Sequence, residues 1–130
     1  MKRRATESRL ILIAEDQRDV QQTIVRYLSR AGYETEVAAT GPLALERFEQ
    51  MNSNGRKPSL VIADLGLPGM DGRTLCKKIQ TINHRMPVLL TSGHSISMDS
   101  TGTRTSDGLP FLKKPFDPAT LLDAISDLIR

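Results

Sequence analysis

Leu60-Val61-Ile62-Ala63-Asp64-Leu65-Gly66-Leu67-Pro68-Gly69-Met70-Asp71-Gly72 is an apolar run that stops at a carboxylate and continues through a glycine- and proline-rich loop. Four consecutive apolar side chains, Leu60–Ala63, describe a strand covered on both faces, because a half-exposed strand would alternate. Asp71 stands where a helix cap would, and Leu75, Ile79 and Ile82 follow at helical spacing. A buried strand, a tight loop and an amphipathic helix are the first half of a βαβ unit, which pairs its strands in parallel.

The same pattern recurs on either side. Leu10–Ala14 is an aliphatic run ending at Glu15-Asp16, and Asp19 is placed to cap a helix through Val20, Ile24, Tyr27 or Leu28, and Ala31, with Gly32 as its stop. Thr35–Ala39 reads as a second strand, and Thr40 as the cap of a helix through Ala44, Leu45, Phe48 and Met51. Val88–Leu90, entered through Pro87 and left at Thr91-Ser92-Gly93, is the fourth strand. Phe111-Leu112 is the fifth, running into Lys113-Lys114-Pro115, and Asp117 opens a last helix carrying Leu121, Leu122, Ile125, Leu128 and Ile129. The expected fold is α/β: a doubly wound, five-stranded parallel sheet with helices on both faces. Residues 95–108 break the alternation, since Ile96 and Met98 are their only apolar side chains. A fourth helix there is expected to be short or irregular, or replaced by a loop.

The chain has 130 residues, enough for one core but not two. Its formal charge of +3 first suggests a nucleic-acid binder, but that excess lies in the first nine residues, leaving 14 basic and 14 acidic residues from Leu10 to Arg130. A neutral body does not carry the basic face that nucleic acid requires, and with no Trp, three Phe and two Tyr it has little from which to build base-stacking platforms. Residues 1–9 read as a basic flexible tail and 10–130 as the domain. No apolar run approaches the roughly 20 residues of a membrane span or follows the basic start as a signal sequence would, so a cytoplasmic chain is expected. Cys76 is single and sits on a helical face, as a packing residue would; His84 and His94 lack ligand spacing for zinc.

In a doubly wound sheet, ligands bind beyond the carboxyl ends of the strands. The polar residues at those ends are Glu15, Asp16, Asp64, Ser92 and Lys114. Three carboxylates and one ammonium leave a local charge of −2, which Mg²⁺ would neutralise with oxygen ligands. A metal-held phosphoryl group could then be attacked by Asp64, with Lys114 and the Ser92 hydroxyl on its other oxygens, to give an aspartyl phosphate.

Glu15-Asp16, Asp64 with Pro68 and Asp71-Gly72, Pro87 through Ser92-Gly93, and Phe111 through Lys114-Pro115, in that order and at compatible spacing, resemble the receiver domains of bacterial two-component response regulators. The resemblance covers about Leu10 to Ile129. It implies that Asp64 is the phosphoacceptor, that Glu15, Asp16, Asp64 and the carbonyl of Gly66 hold Mg²⁺, and that Lys114 contacts the phosphoryl group. It further implies a cis bond between Lys114 and Pro115, a switch hydroxyl at Ser92 with the small Gly93 beside it, and an aromatic switch residue at Phe111. The resemblance also implies that Gly66 and His94 occupy the two positions that tune phosphoryl lifetime, with opposed effects. The donor would be a phosphohistidine on a sensor histidine kinase or a histidine phosphotransfer protein, and a homodimer is possible.

Two other readings use the same residues. A haloacid-dehalogenase-like phosphatase also has an aspartyl nucleophile and Mg²⁺, but it needs a second acid where this chain has Gly66. A receiver-like scaffold would bind partners without phosphorylation, though such domains usually lack one of the acidic or lysine residues present here. Either a single-domain regulator or a receiver belonging to a longer chain, such as a hybrid kinase, accommodates the sequence.

Overall fold

The computed structural model describes residues 9–93, 98, 100 and 102–129. The elements are β1 (Leu10–Ala14), α1 (Arg18–Arg30), β2 (Glu34–Ala38), α2 (Gly41–Ser53), β3 (Leu60–Asp64), α3 (Gly72–Ile82), β4 (Val88–Ser92), β5 (Phe111–Lys113) and α4 (Pro118–Ile129). All strand pairs are parallel, in the order β2-β1-β3-β4-β5. The chain reverses its direction of winding between β1 and β3, so their carboxyl ends, Glu15 and Asp64, flank the crevice that such a reversal opens.

Successive residues of the buried strands point into two core layers. Leu12, Val61, Ala63 and Leu90 pack with Phe48 of α2 and with Leu75, Cys76 and Ile79 of α3. Ile11, Ile13, Ile62 and Leu89 pack with Ile24 and Leu28 of α1 and Leu121 and Ile125 of α4. That two-sided burial is why β1, β3 and β4 read as continuous apolar runs. Cys76 belongs to the first layer, and burial pushes its thiol up to about 12, so it stays protonated at neutral pH.

The helix ends follow local chemistry, with one correction. Thr40 Oγ1 accepts the Leu43 N–H at 3.1 Å, Asp71 Oδ1 accepts that of Thr74 at 2.8 Å and Asp117 Oδ1 that of Thr120 at 2.7 Å. Asp19, expected as a cap, instead lies inside the first turn of α1; Gln17 is the capping residue and its side chain makes no cap bond. The helix ends at Arg30, with Gly32 as the stop just beyond it, as expected. With φ +96°, Gly32 lets its own N–H reach Ser29 O at 3.1 Å and that of Tyr33 reach Leu28 O at 3.0 Å.

Residues 1–8 and His94 lie outside the described residues, as do Ser95, Ile96, Ser97, Asp99, Thr101 and Arg130. Arg9, placed in the tail by composition, is tied down at both ends: its carbonyl accepts the Glu34 N–H at 2.8 Å and its guanidinium donates to Ile129 O at 2.8 Å. Between β4 and β5 the described residues contain no helix. Met98 bridges Thr105 and Arg104 bridges Pro110, both antiparallel, and Thr105-Ser106-Asp107-Gly108 turns back on itself with Gly108 at φ +95°. The expectation of an irregular segment thus resolves, from Thr103 onward, into a hairpin built on the Asp-Gly turn. Thr105 is fully buried; its N–H donates to Leu109 O at 2.8 Å and its hydroxyl oxygen accepts the Leu109 N–H at 3.0 Å.

Candidate functional site

Strand β1 delivers Glu15 and Asp16, β3 delivers Asp64, β4 delivers Ser92, and β5 delivers Lys114, all at one sheet edge. One carboxylate oxygen from each of Glu15, Asp16 and Asp64 lies within 4.8 Å of the others. Lys114 Nζ stands between two of them, 2.9 Å from Asp64 Oδ1 and 3.0 Å from Glu15 Oε1. The second oxygen of each is also held: Glu15 Oε2 accepts the Gln17 N–H at 3.1 Å, and Asp64 Oδ2 accepts that of Gly66 at 3.1 Å.

Burial sets the electrostatics. Glu15 is 1% exposed, Asp64 8% and the Lys114 side chain 15%, whereas Asp16 faces solvent. Desolvation raises the Glu15 carboxyl above its ordinary value, and the nearby Asp64 charge adds to the rise; the Gln17 N–H and Lys114 oppose it. A carboxyl whose folded pKa is raised destabilises the fold as pH climbs through that value, and the cost is absent below its unfolded pKa. For Lys114, burial works against the charge, but the bonds and charges of Asp64 and Glu15 outweigh it and hold the ammonium above its usual pKa. One ammonium cannot balance three carboxylates, so the donor set is short of positive charge. Oxygen donors that converge with excess negative charge fit a hard divalent cation.

The site opens into a cavity of about 710 Å³ lined by Asp16, Asp64, Gly66, Ser92, Gly93 and Lys114 and extending along α1 to Tyr27. Glycines shape its floor. At Gly66 a Cβ would stand 3.4 Å from Asp64 Oδ2, so any side chain there would lie against the carboxylate. The loop after Asp64 rests on α2: Gly41 N–H donates to Pro68 O at 3.2 Å, and a Cβ on Gly41 would meet Met70 O at 2.3 Å. Gly72 is tighter still, since its Cβ would lie 2.2 Å from the Asp64 carbonyl oxygen. The Lys114–Pro115 bond is cis.

Of the two adjacent hydroxyls on β4, Ser92 lines the cavity. Thr91, paired with Asp64 across the sheet, is 1% exposed, and its Oγ1 has no hydrogen-bond partner among the described residues. An unsatisfied buried hydroxyl costs about 1–3 kcal/mol, and valine has the same shape without it. Thr91→Val is therefore expected to stabilise the fold by about 1 kcal/mol, read as an upward shift of the urea midpoint with an unchanged m value. Phe111, the expected aromatic switch, is buried in the core layer that contains Leu90 and Leu109. The roles of Gly41 and Gly72 are not visible in the sequence, because the residues they touch are remote or set by loop shape. The Asp107–Gly108 turn did carry a signal, the Asp-Gly dipeptide, but a segment otherwise poor in apolar residues masks it.

Comparison with known proteins converges on one family. The response regulator receiver domain family matches residues 11–126. The transcriptional regulatory protein YxdJ of Bacillus subtilis is 32% identical over 120 residues, and response regulator MprA of a Mycobacterium species 32% over 121; each match covers 92% of this chain and 50% of the relative. The chain thus spans about half the length of these curated relatives. Among solved structures, a CheY-like receiver domain protein of Methanospirillum hungatei superposes with a TM-score of 0.80 at 26% identity, covering 95% of this chain and 94% of that one. The receiver domain of the hybrid histidine kinase CckA gives 0.75 at 33% identity, covering 93% and 99%. With a family match over nearly the whole sheet and the same parallel architecture, the chain belongs to the response regulator receiver domain family.

Proposed function

We propose that this domain accepts a phosphoryl group on Asp64 from a phosphohistidine and changes conformation in response. The observation that carries the reading is the convergence of the Glu15, Asp16 and Asp64 carboxylates within 4.8 Å of one another around Lys114. Glu15, Asp16, Asp64 and the carbonyl of Gly66 would hold Mg²⁺. When bound, the ion supplies charge neutralisation for the phosphoryl oxygens and the carboxylates. One Asp64 carboxylate oxygen attacks phosphorus; the P–N bond to the donor imidazole breaks, and its electron pair returns to the ring nitrogen. Lys114 leaves Asp64 Oδ1 for a phosphoryl oxygen, and the Ser92 hydroxyl donates to another, with Gly93 leaving room beside it. Ser92 and Phe111 then pass the change to the rest of the fold, Phe111 through packing alone because it has no hydroxyl. Gly66, and His94 outside the described residues, would set access of water to the phosphoryl group.

On this reading the chain catalyses its own phosphorylation and dephosphorylation and has no other substrate. The domain works in the cytoplasm, and a sensor histidine kinase or a histidine phosphotransfer protein is its partner. Among the described residues no helix is long and apolar enough to cross a membrane. The test is intact-mass spectrometry after incubation with acetyl phosphate. One phosphoryl group is expected with Mg²⁺ and none with EDTA; no uptake from several donors would favour a phosphorylation-independent scaffold. A second measurement isolates the metal. Mg²⁺ at a hundred times its dissociation constant is expected to stabilise the fold by about 2.7 kcal/mol in thermal melts, and Asp16→Asn to remove most of that gain.

A further inference from the structure

Where a helix could have crossed from β4 to β5, this chain has a hairpin whose tip is fastened to α3. The Asp107 carboxylate accepts a hydrogen bond from Arg73 and lies 3.3 Å from Lys77 Nζ, two cations one helical turn apart. The same carboxylate accepts from the Thr105 hydroxyl inside the hairpin. Helix α3 carries Arg73, Lys77 and Lys78 and no acidic residue, and within the hairpin the Arg104 guanidinium donates to Gly108 O at 2.9 Å.

Both sides of this junction connect directly to the phosphoacceptor. On one side α3 starts at Gly72, whose Cα sits against the Asp64 carbonyl and whose N–H donates to Leu65 O at 3.0 Å. On the other, Thr103 O accepts the Phe111 N–H at 2.9 Å and Pro110 O accepts the Leu90 N–H at 2.9 Å, tying the hairpin to β5, which leads into Lys114, and to β4, which ends at Ser92. A displacement at the strand ends therefore reaches the Asp107 contact from two directions.

We propose that the α3–hairpin face is a docking surface for an acidic protein segment, that Asp107 occupies it as an internal stand-in for the partner's carboxylate, and that phosphorylation of Asp64 loosens Asp107 to admit the partner. The charge supports an acidic occupant: the two cations already grip a carboxylate, and their exposed side remains in water. Exposed ion pairs are weak and exchange readily, so an external carboxylate can compete. Only the phosphorylation step rests on the proposed function of Asp64; the surface itself does not.

The probe is a short fluorescein-labelled oligoglutamate peptide, followed by anisotropy at low ionic strength, where such contacts are least screened. Removing the internal competitor by Asp107→Asn is expected to tighten binding about fivefold, the lower end of ordinary coupling between sites. Arg73→Ala with Lys77→Ala is expected to abolish binding, and Lys77→Ala alone to weaken it. Wild type phosphorylated by acetyl phosphate should bind about as tightly as Asp107→Asn. Urea midpoints for each variant identify any that fail to fold, and the Lys77→Ala result then stands in for the double variant. Equal affinity of wild type and Asp107→Asn, or full binding by the Arg73→Ala, Lys77→Ala variant, would overturn the surface. A mixed-sequence oligonucleotide binding as well as the peptide, without regard to Asp107, would overturn the acidic-protein assignment. Phosphorylation complete by mass with unchanged affinity would overturn the coupling, whereas failure to gain phosphoryl mass would count against the role of Asp64 and leave the Asp107→Asn comparison to decide the surface.

Discussion

Asp64→Asn is expected to take up no phosphoryl group from acetyl phosphate and Mg²⁺ while folding as well as the wild type. The amide keeps the shape and can still accept from the Gly66 N–H, but it lacks the charged oxygen that attacks phosphorus. Its effect on stability is a balance. Lys114 loses the partner 2.9 Å away at Asp64 Oδ1 but keeps Glu15 Oε1 at 3.0 Å, and Glu15 and Asp16 lose a repelling neighbour. These effects oppose, so the urea midpoint without metal should stay within about 1 kcal/mol of wild type. Lys114→Gln separates the two roles further. It should slow phosphorylation by about 10²–10³, the usual loss when one preorganised charge is removed from a reacting oxyanion. It should also destabilise the metal-free protein, because two buried carboxylates lose their counter-ion. Equal labelling of Asp64→Asn and wild type would reject Asp64 as the acceptor.

Gly72→Ala is expected to damage both stability and phosphorylation, although a small helix-forming residue replaces a poor one at the start of α3. A methyl group there would lie 2.2 Å from Asp64 O, 2.7 Å from Asp64 C and 3.0 Å from a methyl of Leu90. Two of these three atoms are backbone of the strand that presents the acceptor, so no rotamer change relieves the clash; α3 must move away or Asp64 must shift. Overpacking of this kind costs about 1–3 kcal/mol and occasionally more, and the backbone contact puts Gly72 at the upper end. A misplacement of about 1 Å at a reacting group can cost about 10² in rate, so acetyl phosphate labelling should fall even where the variant folds. Gly32→Ala is the control. Gly32 has φ +96° and a Cβ there would meet nothing within 4 Å, so alanine should cost only about 1–2 kcal/mol of backbone strain and leave labelling untouched. If the two variants lose similar stability and neither loses labelling, the contact between α3 and Asp64 does not position the acceptor.

Much of the sheet was legible because burial on both faces writes the same local pattern in β1, β3 and β4, unbroken aliphatic runs closed by polar residues. Strand β2, at the edge, was read one residue late: it spans Glu34–Ala38, and its exposed glutamate does not look like strand interior. Asp19 is not the cap because α1 opens two residues sooner, at Gln17, whose N–H is already bonded to the Glu15 carboxylate. The segment from Ser95 to Gly108 was legible only as a break in the alternation, a short or irregular helix or a loop. Its hairpin is held by Thr105, Asp107 and the strands beside it, and those contacts are distant in sequence.

The order of strands and helices, the residues of the acidic site and the lysine that faces them follow from the sequence by itself, since each depends on local periodicity or on residue types at strand ends. The tertiary structure alone decided that Lys114 bridges Asp64 and Glu15, that Thr91, next to Ser92, is buried with no hydrogen-bond partner for its hydroxyl among the described residues, that Gly72 must be glycine and that Asp107 closes on α3. Each of these is a distance between residues far apart in the chain, or a choice between neighbours that share a pattern. Such distances are set by how the layers pack, and no spacing along one chain contains them.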